Sequence, residues 1–247
     1  MTGPEVLEFA KATQVALLPM GSIEMHGPHL ATGVDTVAAI ALAEKAAQIE
    51  KAIVLPPIHY NLNAPMKCYP GTLSMPVRMI ADMVMTISAE AARNGFDRMI
   101  CVIGHGGTQL PVGLAQQDLL EQRTGARNST EARRMVFYVY FGALCKEACK
   151  SVLESKPMHG CEYETSLTMQ IRPDMVRPEK AHSGPYVPDG VDAAHVDDWN
   201  RMVPLGFAGE PQKATAEKGK ALLDEAVESL VKVIRQVKAY KLEPDGK

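Results

Sequence analysis

Four apolar, strand-like runs alternate along the chain with segments whose apolar residues repeat at helical spacing. Alternation of this kind predicts a mostly parallel sheet that is covered by helices on both faces, which is an α/β fold. A chain of 247 residues suits one large domain of this type, so we expect a single domain over residues 1–247. The expected strands are residues 15–20, 53–57, 98–103 and 135–141, and the expected helices are about 36–49, 76–94, 108–125 and 214–240.

The last predicted helix has a stripe of apolar side chains, which favours packing against the core and leaves an oligomer contact as the alternative. The stripe consists of Leu223, Val227, Leu230, Ile234 and Val237. Residues 172–212 are rich in Pro, Gly and Asp and hold the single tryptophan, Trp199. Because long loops in compact domains are usually functional or disordered, we expect an irregular excursion here rather than a second domain.

Composition excludes several classes of protein. The net charge is −3 and no basic block stands out, so we expect no nucleic-acid partner. No apolar run is long enough to cross a bilayer, and the N-terminus lacks the pattern of a secretion signal. The five cysteines are odd in number and do not have the spacing of a disulfide framework, which favours a reducing cytoplasm.

Three possible metal ligands lie within one short segment that follows the first predicted strand. Glu24 and His26 are two residues apart, so in an extended segment their side chains project to the same side. A turn through glycine and proline can bring Asp35 back beside them, where its two oxygens could bridge two ions. Carboxylates and imidazole suit a divalent metal. The alternative for Asp35 is a helix N-cap, and one residue could serve both purposes.

A second cluster follows the strand at residues 98–103. His105 stands at the carboxyl end of this strand, where open α/β sheets bind their ligands. The glycines at 104, 106 and 107 allow close approach of a ligand, and their amides could cradle a phosphate at the start of the next helix. The loop lacks the Lys-Ser/Thr ending of a Walker A motif. Two interpretations of this loop therefore stay open, namely that His105 binds a metal and that the loop binds a phosphate. The first cluster favours the metal-binding interpretation.

The third cluster is the segment from His159 to Ser166. Glu162 and Glu164 share one face if this segment is extended. His159 could donate a proton, and either glutamate could act as a ligand or as a general base. A solvated polar turn is the alternative. His29 lies close enough to the first cluster to support its ligands.

In this order, the clusters resemble the creatininase family of metal-dependent hydrolases. The family pattern contains Glu-x-His-Gly-Pro-His-Leu-Pro with a following Asp, Pro-Gly-Thr, Gly-His-Gly-Gly-Asn and His-x-x-x-x-Glu-Thr-Ser. A late Gly-Asp-Pro and a Lys-Ala-Thr-x-Glu-x-Gly helix start complete it. The corresponding segments here are residues 24–31 with Asp35, 70–72, 104–108, 159–166, 209–211 and 213–219.

The resemblance implies a three-layer αβα sandwich and two divalent cations, with zinc as the first choice and manganese or iron as alternatives. The positions that match family ligands are Glu24, His26, Asp35 and His105, with Asp35 bridging. His159 matches the proposed proton donor of the family. The resemblance also implies a homo-oligomer, often a hexamer built as a trimer of dimers.

Departures from the family pattern bear on the substrate. True creatininases carry Tyr-Glu directly after the strand-end histidine, where this chain has Gly106 and Gly107. We therefore expect Glu164 to complete the second metal site. Thr108 replaces the usual asparagine, Ile103 stands where asparagine often precedes Gly-His, and residues 160–161 replace the common Ala-Gly. The family also includes deformylases and a peptide-processing branch, so only the reaction class carries over.

Together these observations predict a metal-dependent amidohydrolase that cleaves a C–N bond of a small cyclic or linear amide. Metal-bound hydroxide would attack the carbonyl carbon, Glu162 or Glu164 would relay a proton, and His159 would protonate the leaving nitrogen. Two rival functions stay open. One is a non-hydrolytic α/β module that binds a nucleotide or phosphate at the Gly104–Gly107 loop, and the other is a lactone-opening member of the family.

Overall fold

The computed structural model describes residues 1–123, 134–187 and 196–240. Its central sheet contains four parallel strands in the order β2–β1–β3–β4. The strands are β1 (Val15–Met20), β2 (Ile53–Val54), β3 (Arg98–Ile103) and β4 (Met135–Tyr140). The described helices are α1 (Gly3–Ala12), α2 (Val34–Ile49), α3 (Val77–Arg93), α4 (Gln109–Arg123), α5 (Phe141–Leu144), α6 (Lys146–Val152), α7 (Glu162–Ile171), α8 (Val196–Met202) and α9 (Ala216–Ala239).

Alternate side chains of the central strands enter two different cores. On one face, Leu17 and Val102 pack with side chains of α2, α7 and α9. On the other face, Leu18 and Cys101 pack with side chains of α3 and α4. Since successive residues of a strand point to opposite faces, an apolar strand between two helical layers buries both sets. The predicted α/β fold with a parallel sheet between two helical layers is confirmed.

The predicted strands and helices differ from the observed ones mainly at their ends. The strand expected at 53–57 pairs only over Ile53–Val54, because Pro56 and Pro57 have no N–H to donate to a ladder. Before α3 the N-cap position is Pro76, and the side chain of Ser74 accepts a hydrogen bond from the backbone amide of Asn63. The N-terminal helix α1 was not predicted.

The apolar stripe of α9 lies in the core. All five of its side chains are buried, and the helix packs against α7 and α2. The packing interpretation is therefore confirmed, and the stripe is not available for an oligomer contact. Between 172 and 212, the described parts contain short 3-10 turns and α8. Residues 188–195 of this excursion, and residues 124 and 125 at the predicted end of α4, lie outside the described residues.

Two further expectations concern cysteines and membranes. All five cysteines are free thiols, so the chain has no disulfide framework. Among the described residues, no helix combines the length and the apolar character that a membrane span requires.

Core packing on α9 gives a stability prediction. Leu230 is fully buried, so Leu230→Ala should lower the free energy of unfolding by about 2–5 kcal/mol through lost burial and the cavity left behind. The control is Lys232→Ala on the exposed side of the same helix, expected within about 0.5 kcal/mol of the parent. Urea unfolding followed by circular dichroism measures both. Equal losses in the two variants would contradict the assigned core.

Candidate metal centre

The candidate site lies at the carboxyl ends of β1 and β3, the two central strands. The chain leaves β1 towards β2 on one side, whereas the strand that follows β3 is added on the other side. This arrangement is the switch point at which open α/β sheets bind ligands. Gly104 follows β3 and lies so close to the main chain of Asp35 that a Cβ atom would collide with it. The close approach places His105 beside the first turn of α2.

Asp35 stands between two histidines that come from different strand ends. Its Oδ1 atom is 3.1 Å from Nε2 of His26. Its Oδ2 atom is 3.4 Å from Nδ1 of His105. Glu24 completes this side of the cluster, with Oε1 at 2.8 Å from Nδ1 of His105. One carboxylate with an oxygen towards each histidine has the geometry of a bridging ligand.

The segment that begins α7 closes the other side. The Oε2 atom of Glu164 is 3.8 Å from Nε2 of His26 and accepts a hydrogen bond from the Gly160 amide. The ring of His159 lies against that of His26, with ring centroids 4.2 Å apart. Its Nδ1 atom is 3.9 Å from Oε1 of Glu24. Six side chains from three distant parts of the chain therefore meet in one place.

Each of the three histidines is oriented by a backbone carbonyl. His26 donates from Nδ1 to the carbonyl of Glu24 at 3.2 Å. His105 donates from Nε2 to Leu62 at 2.9 Å, and His159 donates from Nε2 to Met25 at 2.7 Å. In the neutral ring, this leaves the lone pair of the other nitrogen facing the carboxylates. Carbonyl partners of this kind commonly fix the tautomer of metal-ligating histidines.

The cluster has more negative charge than its own surroundings neutralise. Glu24 and Asp35 are almost fully buried, and only histidines come within ion-pair distance of either carboxylate or of Glu164 in the described parts of the chain. Burial disfavours a protonated His26, but Asp35 and the other carboxylates outweigh this and raise the pKa of His26 to about 10 in the metal-free chain. The pKa of His105 is likewise raised well above its usual value, because Glu24 and Asp35 outweigh the effect of burial. The carboxylates thus favour the binding of a positively charged group at the cluster.

The donor set fits divalent cations. Within the cluster, three buried atoms have no hydrogen-bond partner, namely Oε2 of Glu24, Nε2 of His26 and Oδ2 of Asp35. Ligand atoms lie within 4.8 Å of one another in each of three overlapping groups, which are Glu24/His26/His159, Glu24/Asp35/His105 and His26/Asp35/Glu164. Imidazole nitrogen and carboxylate oxygen are ligands for zinc, manganese and iron alike. Glu24, His26 and Asp35 each belong to two of these groups, and Asp35 has one oxygen towards each of two histidines.

The comparisons with known proteins agree with this geometry. The profile of the creatininase family, described as creatinine amidohydrolase, matches residues 1–234. The chain belongs to the creatininase family. It is 26% identical to creatinine amidohydrolase of Pseudomonas putida over 90% of this chain and 89% of that protein. It is 27% identical to mycofactocin precursor peptide peptidase of Mycobacterium ulcerans over 93% of this chain and 87% of that protein.

Solved creatininase structures share the fold. A manganese form and a Zn–Zn form of a mutant each superimpose with a TM-score of 0.82 and cover 97% of both chains, at 24% and 23% identity. This likeness confirms the three-layer creatininase-like fold implied by the sequence motifs. The creatininase family is a family of hydrolases, so the chain is assigned to that class of enzyme.

Glu162, a predicted proton relay, lies outside both the cluster and the cavity lining of this creatininase-family chain. The sequence argument assumed an extended segment, but Glu162 and Glu164 both lie in the first turn of α7, where residues two apart point about 200° away from each other. The buried carboxylate of Glu162 accepts hydrogen bonds from Ser155 and from Lys218, whose Nζ is 2.6 Å away. Glu162 therefore ties α7 to α9 instead.

The structure shows that Asp35 is not a helix cap and that His29 supports the backbone beside the cluster. Asp35 is the second residue of α2, whose N-cap is Gly33, so Asp35 does not cap the helix. His29 lies behind the cluster and donates from Nε2 to the Gly160 carbonyl at 2.9 Å, while burial lowers its pKa to about 4. A neutral His29 thus holds the backbone between His159 and Glu164.

A cavity of about 330 Å³ opens onto the cluster, and most of its wall was not predicted from the sequence. Tyr140 stands at the carboxyl end of β4, so its position at a strand end was the signal that could have found it. The remaining wall residues outside the cluster come from loops and α8, which carry no strand-end signal. They are Leu62, Asn63, Pro65, Met66, Met158 and Trp199, together with Gly106 and Gly107.

The two glutamates of α7 give a matched pair of substitutions. Glu164→Gln should lower turnover by about 100- to 10,000-fold and reduce bound metal, because it removes one charged group of the cluster. Glu162→Gln should leave metal content unchanged and cost about 3 kcal/mol of stability, because it weakens a buried ion pair with Lys218. Elemental analysis and urea unfolding separate the two effects. Wild-type turnover in Glu164→Gln would remove that residue from the site.

The raised pKa of His26 predicts how metal-free protein responds to pH. A histidine whose pKa rises from 6.5 to about 10 on folding stabilises the fold fully below pH 6.5, and this contribution is lost as pH rises through 10. Protein treated with EDTA should therefore show a falling thermal unfolding midpoint between about pH 7 and 10. Zinc should restore the midpoint at each pH, because a cation replaces the proton. Parallel curves with and without zinc would argue against a cation at this cluster.

Proposed function

We propose that this chain is a metal-dependent amidohydrolase that cleaves a C–N bond of a small cyclic or linear amide. Its ligands would be Glu24, His26, Asp35, His105 and Glu164, with Asp35 shared between two divalent cations. Zinc is our first choice, and manganese or iron are alternatives. The supporting observation is a group of three carboxylates, two buried and one partly buried, whose ion-pair partners in the described parts of the chain are all histidines, beside a cavity of suitable size for a small molecule.

When bound, the cations would supply a Lewis acid for the carbonyl oxygen and lower the pKa of water towards neutrality. The chain provides the proton transfers. The Glu164 carboxylate has two oxygens, so one could hold a cation while the other accepts a proton from the attacking water. The Nδ1 atom of His159 faces the cluster, while its Nε2 donates to the Met25 carbonyl, so Nδ1 is placed to receive the proton taken from water and pass it to the leaving nitrogen. Water and amide thereby become a carboxylic acid and an amine.

Tyr140 adds a hydrogen-bond donor to the cavity wall. Burial and the nearby Glu164 raise the pKa of its phenol, so the hydroxyl keeps its proton at neutral pH. A protonated phenol beside the cluster can orient a substrate carbonyl or nitrogen without adding charge.

Phosphate binding, the first rival function, fits the site poorly. The loop at Gly104–Gly107 does precede a helix, but the His105 side chain turns towards Glu24 and Asp35. Three carboxylates beside this loop repel a phosphate unless cations intervene. Lactone opening uses the same attack on a carbonyl and differs only in the leaving atom, so it is distinguished by substrate rather than by geometry.

The proposal predicts both metal content and a substrate preference. Protein purified in mild buffer should contain about two divalent ions per chain, since the donor groups overlap at Asp35. With zinc or manganese added, it should hydrolyse members of a panel of lactams, formamides and linear amides. Matched lactones in the panel test for lactone opening. Protein without metal, or with a co-purifying nucleotide in its place, would contradict the proposal.

Assembly and compartment stay predictions. The family resemblance predicts a homo-oligomer, with a hexamer as the expected form, and the free cysteines fit a cytoplasmic setting. Light scattering after size-exclusion chromatography measures the assembly directly.

A further inference from the structure

Gly106 is an exposed residue at the edge of the cavity, next to the cluster. Gly106 directly follows His105 and lines the cavity. A Cβ atom built on Gly106 meets no heavy atom within 4 Å, and the residue is not among the glycines with positive φ. Neither packing nor backbone conformation therefore requires glycine at this position, and the space beside it is free for a ligand.

The neighbouring glycine is different. A Cβ atom on Gly107 would collide with Nε2 of His105 and with the Leu62 carbonyl, which are joined by a hydrogen bond. Gly107 is thus needed to keep His105 in place. Gly106, by contrast, can be enlarged without disturbing that bond, so it offers a way to change the cavity and leave the cluster intact.

Most of the cavity wall outside the cluster is apolar. Its apolar side chains are Leu62, Pro65, Met66, Met158 and Trp199, and Asn63 and Tyr140 add uncharged polar groups. No lysine or arginine is among the described residues that line the cavity. A negatively charged group would have to give up water here without a cationic side chain to pair with. An uncharged flat or apolar group would gain from burial against these walls.

We infer that the space beside Gly106 is a subsite for an uncharged apolar or aromatic group attached to the substrate carbonyl, and that residue 106 sets the size of the group accepted. The inference rests on the proposed function, because the carbonyl must be held at the cluster for its substituent to reach Gly106. The substrate class that follows is a neutral amide with a bulky apolar acyl side, rather than an anionic one.

Hydroxamic acids test the subsite beside Gly106 without requiring turnover, since they chelate metal ions through two oxygens and carry one substituent. The probes are acetohydroxamic acid, benzohydroxamic acid and 4-carboxybenzohydroxamic acid, titrated into zinc-loaded protein by calorimetry. The single tryptophan, Trp199, lines the cavity, so its fluorescence gives a second readout confined to the site. Benzohydroxamic acid should bind at least about tenfold more tightly than acetohydroxamic acid, and the carboxylated analogue should lose that gain.

The variants Gly106→Ala and Gly106→Leu then locate the subsite. Affinity for benzohydroxamic acid should be lower in Gly106→Ala than in the parent and lower again in Gly106→Leu, where the loss should be about tenfold or more. Affinity for acetohydroxamic acid should stay within about twofold of the parent in both variants. The matched control is Gly113→Leu on α4, where a Cβ also has room but the residue does not line the cavity. Zinc content and thermal midpoints of all variants establish that the fold and cluster persist.

The outcomes separate this inference from the proposed function. If acetohydroxamic acid binds zinc-loaded protein but benzohydroxamic acid binds no more tightly, the subsite is overturned and the metal centre stands. Equal loss of both probes in Gly106→Leu also overturns it. If no probe binds and zinc is not retained, the proposed function fails and the subsite fails with it.

Discussion

The interaction on which the site depends is the burial of Glu24 and Asp35, with Glu164 beside them, among histidines rather than among lysines or arginines. Buried carboxylates without a permanent cation are costly, and protons on the histidines relieve this only in part. Divalent cations would satisfy all three groups at once. The backbone carbonyls that orient His26, His105 and His159 leave one nitrogen of each ring for that purpose.

The sheet supplies the scaffold for this charge arrangement. β1 and β3 are adjacent and parallel, so the segments that follow them start side by side. Close contact of Gly104 with the main chain of Asp35 fixes the distance between the two segments. The third contribution comes from α7, which is anchored to α9 by Glu162 and Lys218 on its far side. Glu162 therefore stabilises the packing of the helix that carries Glu164, without touching the cluster.

The cluster determines the class of reaction, whereas the cavity wall determines the choice of substrate. The cluster is built from the segments that follow β1 and β3 and from the first turns of α2 and α7. The wall consists of loop residues and Trp199 on the short helix α8, together with the empty space at Gly106. Relatives with different substrate names can thus share one fold, because loops can change the wall while the strand ends keep the ligands in place.

The sequence by itself determined the parallel sheet, the two helical layers and the residues that gather at the strand ends. It could do so because hydrophobic periodicity and strand-end position are local signals, readable at Glu24, His26 and His105 alike. Family motifs strengthened the case for Asp35, His159 and Glu164. Only the structure decided which glutamate of α7 faces the cluster, because an extended backbone at 162–164 would put both on one face, whereas the helix separates them. It also decided the shape and apolar character of the cavity wall, since Met66, Met158 and Trp199 meet only through long-range packing that no local pattern encodes.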